Sequence, residues 1–386
     1  MPLSNARIFG SASLSSWRRR VLCRAACLRP SQKYNSLRSL RWSENRNLRG
    51  LSTDEKPGDE NQKREDPPTP TEAFLDASAR GVGQVIFLNS PQSGKILGLG
   101  LAIGDPYLAG LAALGTVTAT ASATAAGLDE ASIKDGLLGY NGCLVGCAFA
   151  VFGSPSIIAA TTATIVGAAA TPFVAVSMKE AMGSVPQWTF AFNFVTLASL
   201  LRTRPLLPLT PVDGGGEGAI EAATSSDSSS SLLLDVVTSP FTGISQIFVV
   251  QSALSGAVIL GGIGSYSPLL AVHAIGGSTL GTLVGALSGA SLEELGMGLY
   301  GFNSALTSMA VGVFFVHSTP TMLLSAGGAA ATASLFGAMK TVFGVYGSPC
   351  LTLPFCFTMS GCYMLQKHVP GLVFARSPHS PEKNKI

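Results

Sequence analysis

The side chains best suited to hold a small polar molecule occur in pairs, at matching points of a sequence that repeats itself. Two boxes, Gly-Tyr-Asn at 139–141 and Gly-Phe-Asn at 301–303, lie 162 residues apart, and eight of the seventeen residues from 136 to 152 recur identically. Hydrogen-bonding residues recur in that register, or one residue beyond it: Gln84 with Gln246, and Thr189 with Thr352. Amide and hydroxyl groups both donate and accept hydrogen bonds, so these pairs could replace the water around a neutral polar solute.

The composition of the chain is that of a membrane protein. Only 12% of the residues are charged, 47% are hydrophobic and 44 are glycine. Between 241 and 365 the acids and bases are limited to Glu293, Glu294 and Lys340, which leaves runs longer than the about 20 residues that a helix needs to cross a bilayer. A soluble helix would carry a charged face. The sequence therefore predicts an all-α polytopic protein in a lipid bilayer, built from two homologous halves.

Shifts in composition divide the chain into six predicted parts. They are a basic Ser/Arg-rich N-terminal segment 1–50, a polar linker 51–77, a first transmembrane repeat 78–201, an acidic Gly/Ser-rich linker 202–240, a second transmembrane repeat 241–366 and a polar tail 367–386. If each repeat has an odd number of spans, the acidic linker lies opposite both termini, as the positive-inside rule favours. The two halves would then be inverted relative to each other.

The composition of the N-terminal segment has two interpretations. Residues 1–50 contain ten arginines, one lysine and a single acid, Glu44, among many serines. This composition is typical of an organellar transit peptide and indicates a mitochondrial or plastid membrane. A disordered basic tail held near acidic lipids has the same composition, so the plasma membrane stays open as the alternative location.

Enzymatic and metal chemistry lack their sequence signals. The chain has no nucleophile elbow, HExxH motif, phosphate loop or pair of intramembrane carboxylates, so we expect no enzyme. Its seven cysteines form no CxxC pair, and we expect them to pack in the core without a metal or cofactor. His273 and His317 have no counterparts in the repeat and are expected to be structural. A net charge of +3 gives no reason to expect a nucleic-acid partner.

Three features resemble the urea transporter family. They are the segment Gly81-Val82-Gly83-Gln84-Val85-Ile86-Phe87, the paired boxes, and the pattern Pro-x-x-Thr-x-x-Phe, which begins at 186 and again at 349. The resemblance covers roughly residues 78 to 366 and implies two homologous inverted halves around a pore at the pseudo-twofold axis. Each half would have about five transmembrane helices plus a re-entrant pore helix. The resemblance also implies passive, channel-like transport of urea, with one pore per subunit of a homotrimer.

The same resemblance implies roles for single residues. Gln84 and Gln246 match glutamines at the family's outer and inner urea sites. The other matches form three groups: an aromatic slot at Phe87, Tyr140 and Phe302, a constriction at Leu144 and Leu306, and central threonines at Thr189 and Thr352. This chemistry suits urea, because hydroxyls and backbone carbonyls accept its N–H groups, whereas facing rings admit a flat molecule. An ion would lose more hydration than such a slot returns.

The chain departs from the family pattern at four positions. Val249 stands where symmetry with Phe87 places an aromatic residue, Ala191 stands where a proline is expected, and Ser90 and Ser252 stand near Asn-Pro motifs. These departures bear on the preference for urea over its analogues more than on the fold.

Two other functions stay open from the sequence. One is a channel for another small neutral solute, such as a short amide or ammonia. The other is an ion-coupled transporter, which would need an ionisable group inside the membrane. The candidates for such a group, Glu180, Glu293 and Glu294, lie at the edges of apolar segments.

Overall fold

The computed structural model describes residues 68–154, 156–203 and 229–385. The predicted N-terminal segment 1–50 lies outside the described residues, as do the parts 51–67 and 204–228 of the two predicted linkers. Within the described part the regular structure is fourteen α-helices, with one isolated bridge between Phe315 and Phe374. The predicted all-α class is confirmed.

Each half of the described chain contributes seven helices. The first seven are α1 (Pro70–Gln84), α2 (Pro91–Gly104), α3 (Pro106–Ala125), α4 (Glu130–Lys134), α5 (Tyr140–Phe152), α6 (Ile157–Met182) and α7 (Phe190–Thr203). The second seven are α8 (Ser229–Gln246), α9 (Ala253–Tyr266), α10 (Pro268–Leu287), α11 (Leu292–Gly296), α12 (Gly301–Phe314), α13 (Thr319–Gly344) and α14 (Leu353–Leu365). Helices α2, α3, α4 and α6 begin and end 162 positions before α9, α10, α11 and α13. The repeat in the sequence is therefore a repeat in the structure.

Two helices of each half are long enough to cross a membrane unaided. These are α3 and α6, and α10 and α13, with 20 and 26 residues in each half, or about 30 to 39 Å at 1.5 Å per residue. Their outer faces are apolar, with Ile158 76% exposed and Leu323 70% exposed. A face of this kind is stable against lipid and costly in water. The protein is an integral multi-pass membrane protein.

The helices of 13 to 15 residues are too short to span the hydrocarbon core alone. They are α1, α2, α5, α7, α9, α12 and α14. At about 20 Å each they reach only part of the way through a core of about 30 Å. Broken helices at membrane depth occur where the exposed backbone is covered by protein or lines a pathway.

Local capping explains where several helices begin. Thr69 and Glu72 form a reciprocal capping box at the start of α1, so this helix begins at Pro70, before the predicted start of the first repeat at 78. Helix α8 is described from Ser229 onward, also before the predicted start of the second repeat at 241. Ser90 and Ser252, two of the departures from the family pattern, cap α2 and α9 by accepting a backbone N–H at 3.2 Å. The two serine side chains thus stabilise the first turns of α2 and α9.

Glycines bring the long and short helices of one half into backbone contact. A Cβ on Gly115 of α3 would lie 2.1 Å from the carbonyl oxygen of Gly142 in α5. A side chain cannot occupy that space, so the two helices pack with their backbones touching. The counterpart Gly277 in α10 is similarly close to Ser304 and Ser308 of α12.

The equivalent helices α2 and α9 pack against each other in opposite directions. Ser255, at the start of α9, donates its hydroxyl to the carbonyl of Gly100, late in α2, at 2.7 Å. Gly262, near the end of α9, faces Leu97, earlier in α2. The residue numbers of the contact partners therefore rise along α9 as they fall along α2. The pair is antiparallel and lies between the two halves.

The predicted polar tail folds back onto the second half. Asn384 donates its side-chain amide to the carbonyl oxygens of Val313, at 2.7 Å, and Gly312, at 3.2 Å. The N–H of Ala375 donates to the carbonyl oxygen of Phe314 at 2.9 Å. These carbonyls belong to the last turn of α12 and have no partner within the helix. The tail satisfies them and so completes the end of α12.

A second set of contacts holds the tail to the turn between α9 and α10. Glu382 accepts hydrogen bonds from the hydroxyl of Ser267 at 2.6 Å and from the N–H of Leu269 at 2.7 Å. The ring of His379 stacks on Tyr266 with a centroid distance of 5.1 Å. The carboxylate therefore lies at the N-terminus of α10, where a negative charge is favourable.

His273 has the structural role that the sequence suggested for it. Its Nδ1 atom lies 3.2 Å from the hydroxyl of Ser308 and 3.0 Å from that of Ser325. The residue is buried between α10, α12 and α13. These bonds link three helices of the second half.

Candidate functional site

The two predicted central threonines meet in the middle of the structure. Thr189 immediately precedes α7 and Thr352 immediately precedes α14. Their hydroxyl oxygens are 2.7 Å apart, and each residue is only 3% exposed. Two half-length helices from equivalent positions of the repeat therefore begin at one buried point.

A sharp backbone turn starts each half-helix. Trp188 and Leu351, the residues before the threonines, have φ angles of 48° and 51°. Residues other than glycine rarely adopt this left-handed conformation, and surrounding contacts must hold it. The indole of Trp188 donates to the hydroxyl of Ser360 at 2.9 Å, and the carbonyl of Leu351 accepts from the side chain of Asn303 at 3.1 Å.

The asparagines of the repeated boxes hold the first turns of these helices. Asn141 accepts the N–H of Phe192 at 3.1 Å, and Asn303 accepts the N–H of Phe355 at 3.4 Å. The first N–H groups of a helix have no partner within it. Both asparagines are buried, and they anchor α7 and α14 to α5 and α12.

Asn193 contacts both central threonines, although the sequence did not point to it. Its amide donates to the carbonyl of Thr189 at 2.9 Å and to the hydroxyl of Thr352 at 2.8 Å, and it accepts the N–H of Thr352 at 3.1 Å. It thereby ties the starts of the two half-helices together. The signal available in the sequence was a polar residue in an apolar run, but its counterpart is Cys356, so a search for matched pairs passed over it.

The predicted aromatic positions Tyr140 and Phe302 have different surroundings. The hydroxyl of Tyr140 donates to the carbonyl of Trp188 and accepts from the amide of Gln187. Phe302 has no hydroxyl and packs edge-on against Phe336, with a centroid distance of 5.8 Å. The turn before α7 is therefore supported by the phenol of Tyr140, whereas the turn before α14 is supported by the side-chain amide of Asn303.

The two predicted glutamines lie at the ends of α1 and α8. Gln84 donates its amide to the carbonyl of Asp135 at 2.8 Å. Gln246 is partly exposed, and no described residue forms a hydrogen bond with its side chain. Three residues later, Phe87 and Val249 adopt φ angles of 67° and 62°. The two ends thus share a backbone turn but differ in the side chain that the turn presents.

Phe87 reaches the second half and joins an aromatic cluster there. Ring centroids in this cluster are 5.1 to 6.3 Å apart. Its members are Phe87, Trp188, Phe314, Phe355 and Tyr363. The corresponding residues on the other side of the repeat are Val249, Leu351, Phe152, Phe192 and Leu200. Aromatic rings therefore concentrate on the Phe87 side of the centre.

The predicted constriction residues are deep in the protein. Leu144 and Leu306 are each 1% exposed and follow Tyr140 and Phe302 by one helical turn. In a helix this spacing places residues on one face. The aromatic and aliphatic positions of each half thus share a face of α5 or α12.

Charged groups are kept away from the centre in the part of the chain that the structure describes. Lys179 and Glu180 lie at the end of α6, and Lys340 pairs with Glu294 at the end of α13. No cluster of metal-binding side chains occurs among the described residues. The two converging helix N-termini carry partial positive charge, which disfavours cations and favours a carbonyl oxygen.

Known proteins resemble this chain over most of its length. A family model described as urea transporter matches residues 75–367. The urea transporter 1 proteins of Ovis aries and Mus musculus are each 31% identical over 334 residues, which is 81% of this chain and 83% of theirs. The urea transporter 1 of Rattus norvegicus is 30% identical over the same shares.

Proposed function

The chain belongs to the urea transporter family, and from this premise we propose that it lets urea cross a membrane passively, between its two halves. It is a transporter and not an enzyme. The observation that carries the proposed pathway is the meeting of Thr189 and Thr352 at 2.7 Å between the starts of two half-helices. The two hydroxyls are buried and come from equivalent positions of the repeat.

The chemistry of the centre fits a planar neutral amide. Urea has one carbonyl acceptor and two amino groups, and leaving these unpaired in an apolar passage is costly. A threonine hydroxyl can accept an N–H of urea or donate to its carbonyl. Thr189 and Thr352 would serve urea at the point where it has lost most of its water.

The flanking residues suit the approach to that centre. Phe87 and its aromatic cluster offer ring faces between which a flat molecule fits. Gln84 and Gln246 lie beyond, where an amide can exchange hydrogen bonds with an entering solute. Tyr140 and Phe302, followed by Leu144 and Leu306, complete the proposed lining on α5 and α12.

The packing of α2 on α9 supports an inverted arrangement of the halves. Equivalent helices that touch across a twofold axis and run antiparallel have that axis perpendicular to them. If they run along the membrane normal, the axis lies in the membrane plane, which is the arrangement of inverted-repeat transporters. A homotrimer with one pore in each subunit, in the plasma membrane or an organellar membrane, completes the proposal.

Passive transport is favoured over ion coupling by the distribution of charge. Coupling to protons or sodium usually requires an ionisable group inside the membrane. The earlier candidates are peripheral: Glu294 pairs with Lys340, Glu293 is in the first turn of the short α11, and Glu180 is near the end of α6.

A flux assay in proteoliposomes tests the proposal. Urea should enter faster than into empty liposomes, and its entry should be indifferent to sodium, pH gradient and membrane potential. Formamide, acetamide, thiourea and ammonia measured alongside define the solute range. Accumulation of urea above the outside concentration under an imposed gradient would establish coupled transport instead, and flux of ammonia without urea would establish a different channel.

A further inference from the structure

The two central threonines are not equivalent, because the residue one turn after each of them differs between the halves. Asn193 follows Thr189, whereas Cys356 follows Thr352. Both contact the threonine pair: Asn193 donates to the hydroxyl of Thr352 at 2.8 Å, and the sulfur of Cys356 lies 3.1 Å from the hydroxyl of Thr189. The difference determines which hydroxyl hydrogen a solute can use.

Two backbone groups fix the orientation of the Asn193 amide. The N–H of Thr352 can only donate, so the atom facing it at 3.1 Å is Oδ1. The carbonyl of Thr189 can only accept, so the atom facing it at 2.9 Å is Nδ2. With both ends of the amide assigned, its second N–H points at the hydroxyl oxygen of Thr352.

The hydroxyl hydrogen of Thr352 then has two neighbouring acceptors among the described residues, the hydroxyl oxygen of Thr189 at 2.7 Å and the sulfur of Cys356, of which the oxygen is the stronger. The hydrogen of Thr189 is directed to the sulfur of Cys356. When the Thr352 hydroxyl donates to Thr189 and the Thr189 hydroxyl donates to Cys356, the side-chain amide of Asn193 and both hydroxyls have an acceptor for each of their hydrogens. In the opposite direction the sulfur would have to serve Thr352, whereas its contact of hydrogen-bond geometry is with Thr189 at 3.1 Å, and a poorly paired buried donor is unfavourable.

The last acceptor in this chain of hydrogen bonds is the weakest. A thiol sulfur accepts hydrogen bonds poorly, so a carbonyl oxygen can draw the hydrogen of Thr189 away from Cys356. The hydrogen of Thr352 is held by the stronger bond to Thr189. We propose that Thr189 is the hydroxyl that donates to the carbonyl of urea, and that Asn193 is the positioning residue that imposes this direction.

This inference rests on the proposed function and adds the basis of its specificity. A solute with a carbonyl oxygen gains a full hydrogen bond from Thr189, whereas a thiocarbonyl sulfur gains a weak one. The preference for urea over thiourea should therefore depend on Thr189 and Asn193, and not on Thr352 or Cys356.

The test compares urea and thiourea flux in proteoliposomes for the parent protein and four variants. We expect Thr189→Val to lower the urea-to-thiourea ratio about fivefold, the effect of losing roughly one neutral hydrogen bond. Asn193→Ala should lower the ratio in part, because the two hydroxyls can then exchange directions. Thr352→Val should slow both solutes with the ratio retained, and Cys356→Ala should leave the ratio unchanged.

The ratio separates positioning from damage, because a general loss of packing slows both solutes together. If Asn193→Ala does not fold, the two valine variants decide. Equal urea-to-thiourea ratios in Thr189→Val and Thr352→Val, or a lowered ratio in Thr352→Val alone, would overturn the inference while the proposed function stands. A parent protein whose urea flux equals that of empty liposomes would overturn both.

Discussion

The indole nitrogen of Trp188, in the first half, donates a hydrogen bond of 2.9 Å to the hydroxyl of Ser360, in the second half. Trp188 is 4% exposed and holds the strained turn that starts α7. Ser360 in turn donates to the carbonyl of Cys356 at 2.8 Å. One side-chain pair thus couples a backbone turn of one half to the half-helix of the other.

Removing one partner of this pair should destabilise the fold. Ser360→Ala leaves the indole N–H buried and unpaired, which should lower the free energy of unfolding by about 1 to 3 kcal/mol. Trp188→Phe keeps a ring in place and removes the donor. Thermal unfolding in mild detergent measures both, and the double variant should lose less than the sum of the two single losses. Additive losses would show that the two residues act independently.

Valine at either central position should slow urea. Thr189→Val and Thr352→Val keep the shape of the side chain and remove a hydroxyl, and an unpaired group at the driest point costs about 1 to 3 kcal/mol. Urea flux should fall roughly tenfold if that point limits passage. Thr162→Val is the control, because this exposed hydroxyl donates to the carbonyl of Ile158 in its own helix at 2.8 Å. Normal flux through both central variants, at normal protein amounts, would refute the central site.

Two glycines of α3 should respond in opposite ways to a methyl group. Gly115→Ala places a Cβ 2.1 Å from the carbonyl oxygen of Gly142, so α3 and α5 must separate, at a cost of about 1 to 3 kcal/mol or more. Gly110→Ala meets no heavy atom within 4 Å among the described residues and should be neutral or slightly stabilising, since alanine favours helix. Size-exclusion profiles and unfolding temperatures distinguish them. Equal behaviour of the two variants would contradict the close contact.

Acid should release the C-terminal tail. Burial, with a contribution from Lys383, lowers the pKa of His379 below 6.5. Its ring faces Tyr266, and its backbone N–H donates to the side-chain oxygen of Asn384. Burial alone would raise the pKa of Glu382, but its hydrogen bonds, led by that from Ser267, together lower it below 4.5. Both groups are therefore docked in their deprotonated forms. Docking is strongest above pH 6.5 and weakens as the pH falls through that value and again below 4.5.

Quenching of a fluorophore attached at position 386 can follow this release. His379→Phe keeps a ring on Tyr266 and should abolish the change near pH 6, whereas Glu382→Gln should abolish the change at lower pH. Quenching that is independent of pH in the parent protein would show that neither group controls docking.

The repeat made much of this structure predictable, and the remainder lay in features that the repeat does not share. Thr189 and Thr352 could be paired in advance because a duplicated residue in an apolar chain has a partner to find. Asn193 could not, since its counterpart is a cysteine and its role depends on a hydrogen bond across 159 positions of sequence. The docking of the tail was also hidden, because Glu382 and Asn384 bond to a serine hydroxyl and to backbone groups that are distant in the sequence.

The concentration of aromatic rings on the Phe87 side has a consequence for pharmacology. A passive pathway obeys microscopic reversibility, so at urea concentrations far below saturation equal gradients in the two directions give equal flux however unlike the two entrances are. An inhibitor is under no such constraint. If the pathway runs as proposed, a flat aromatic blocker can stack on Phe87 and its neighbours at one entrance, whereas the corresponding turn at the other entrance carries Val249. Such a compound should block when applied to one face of the membrane and fail when applied to the other.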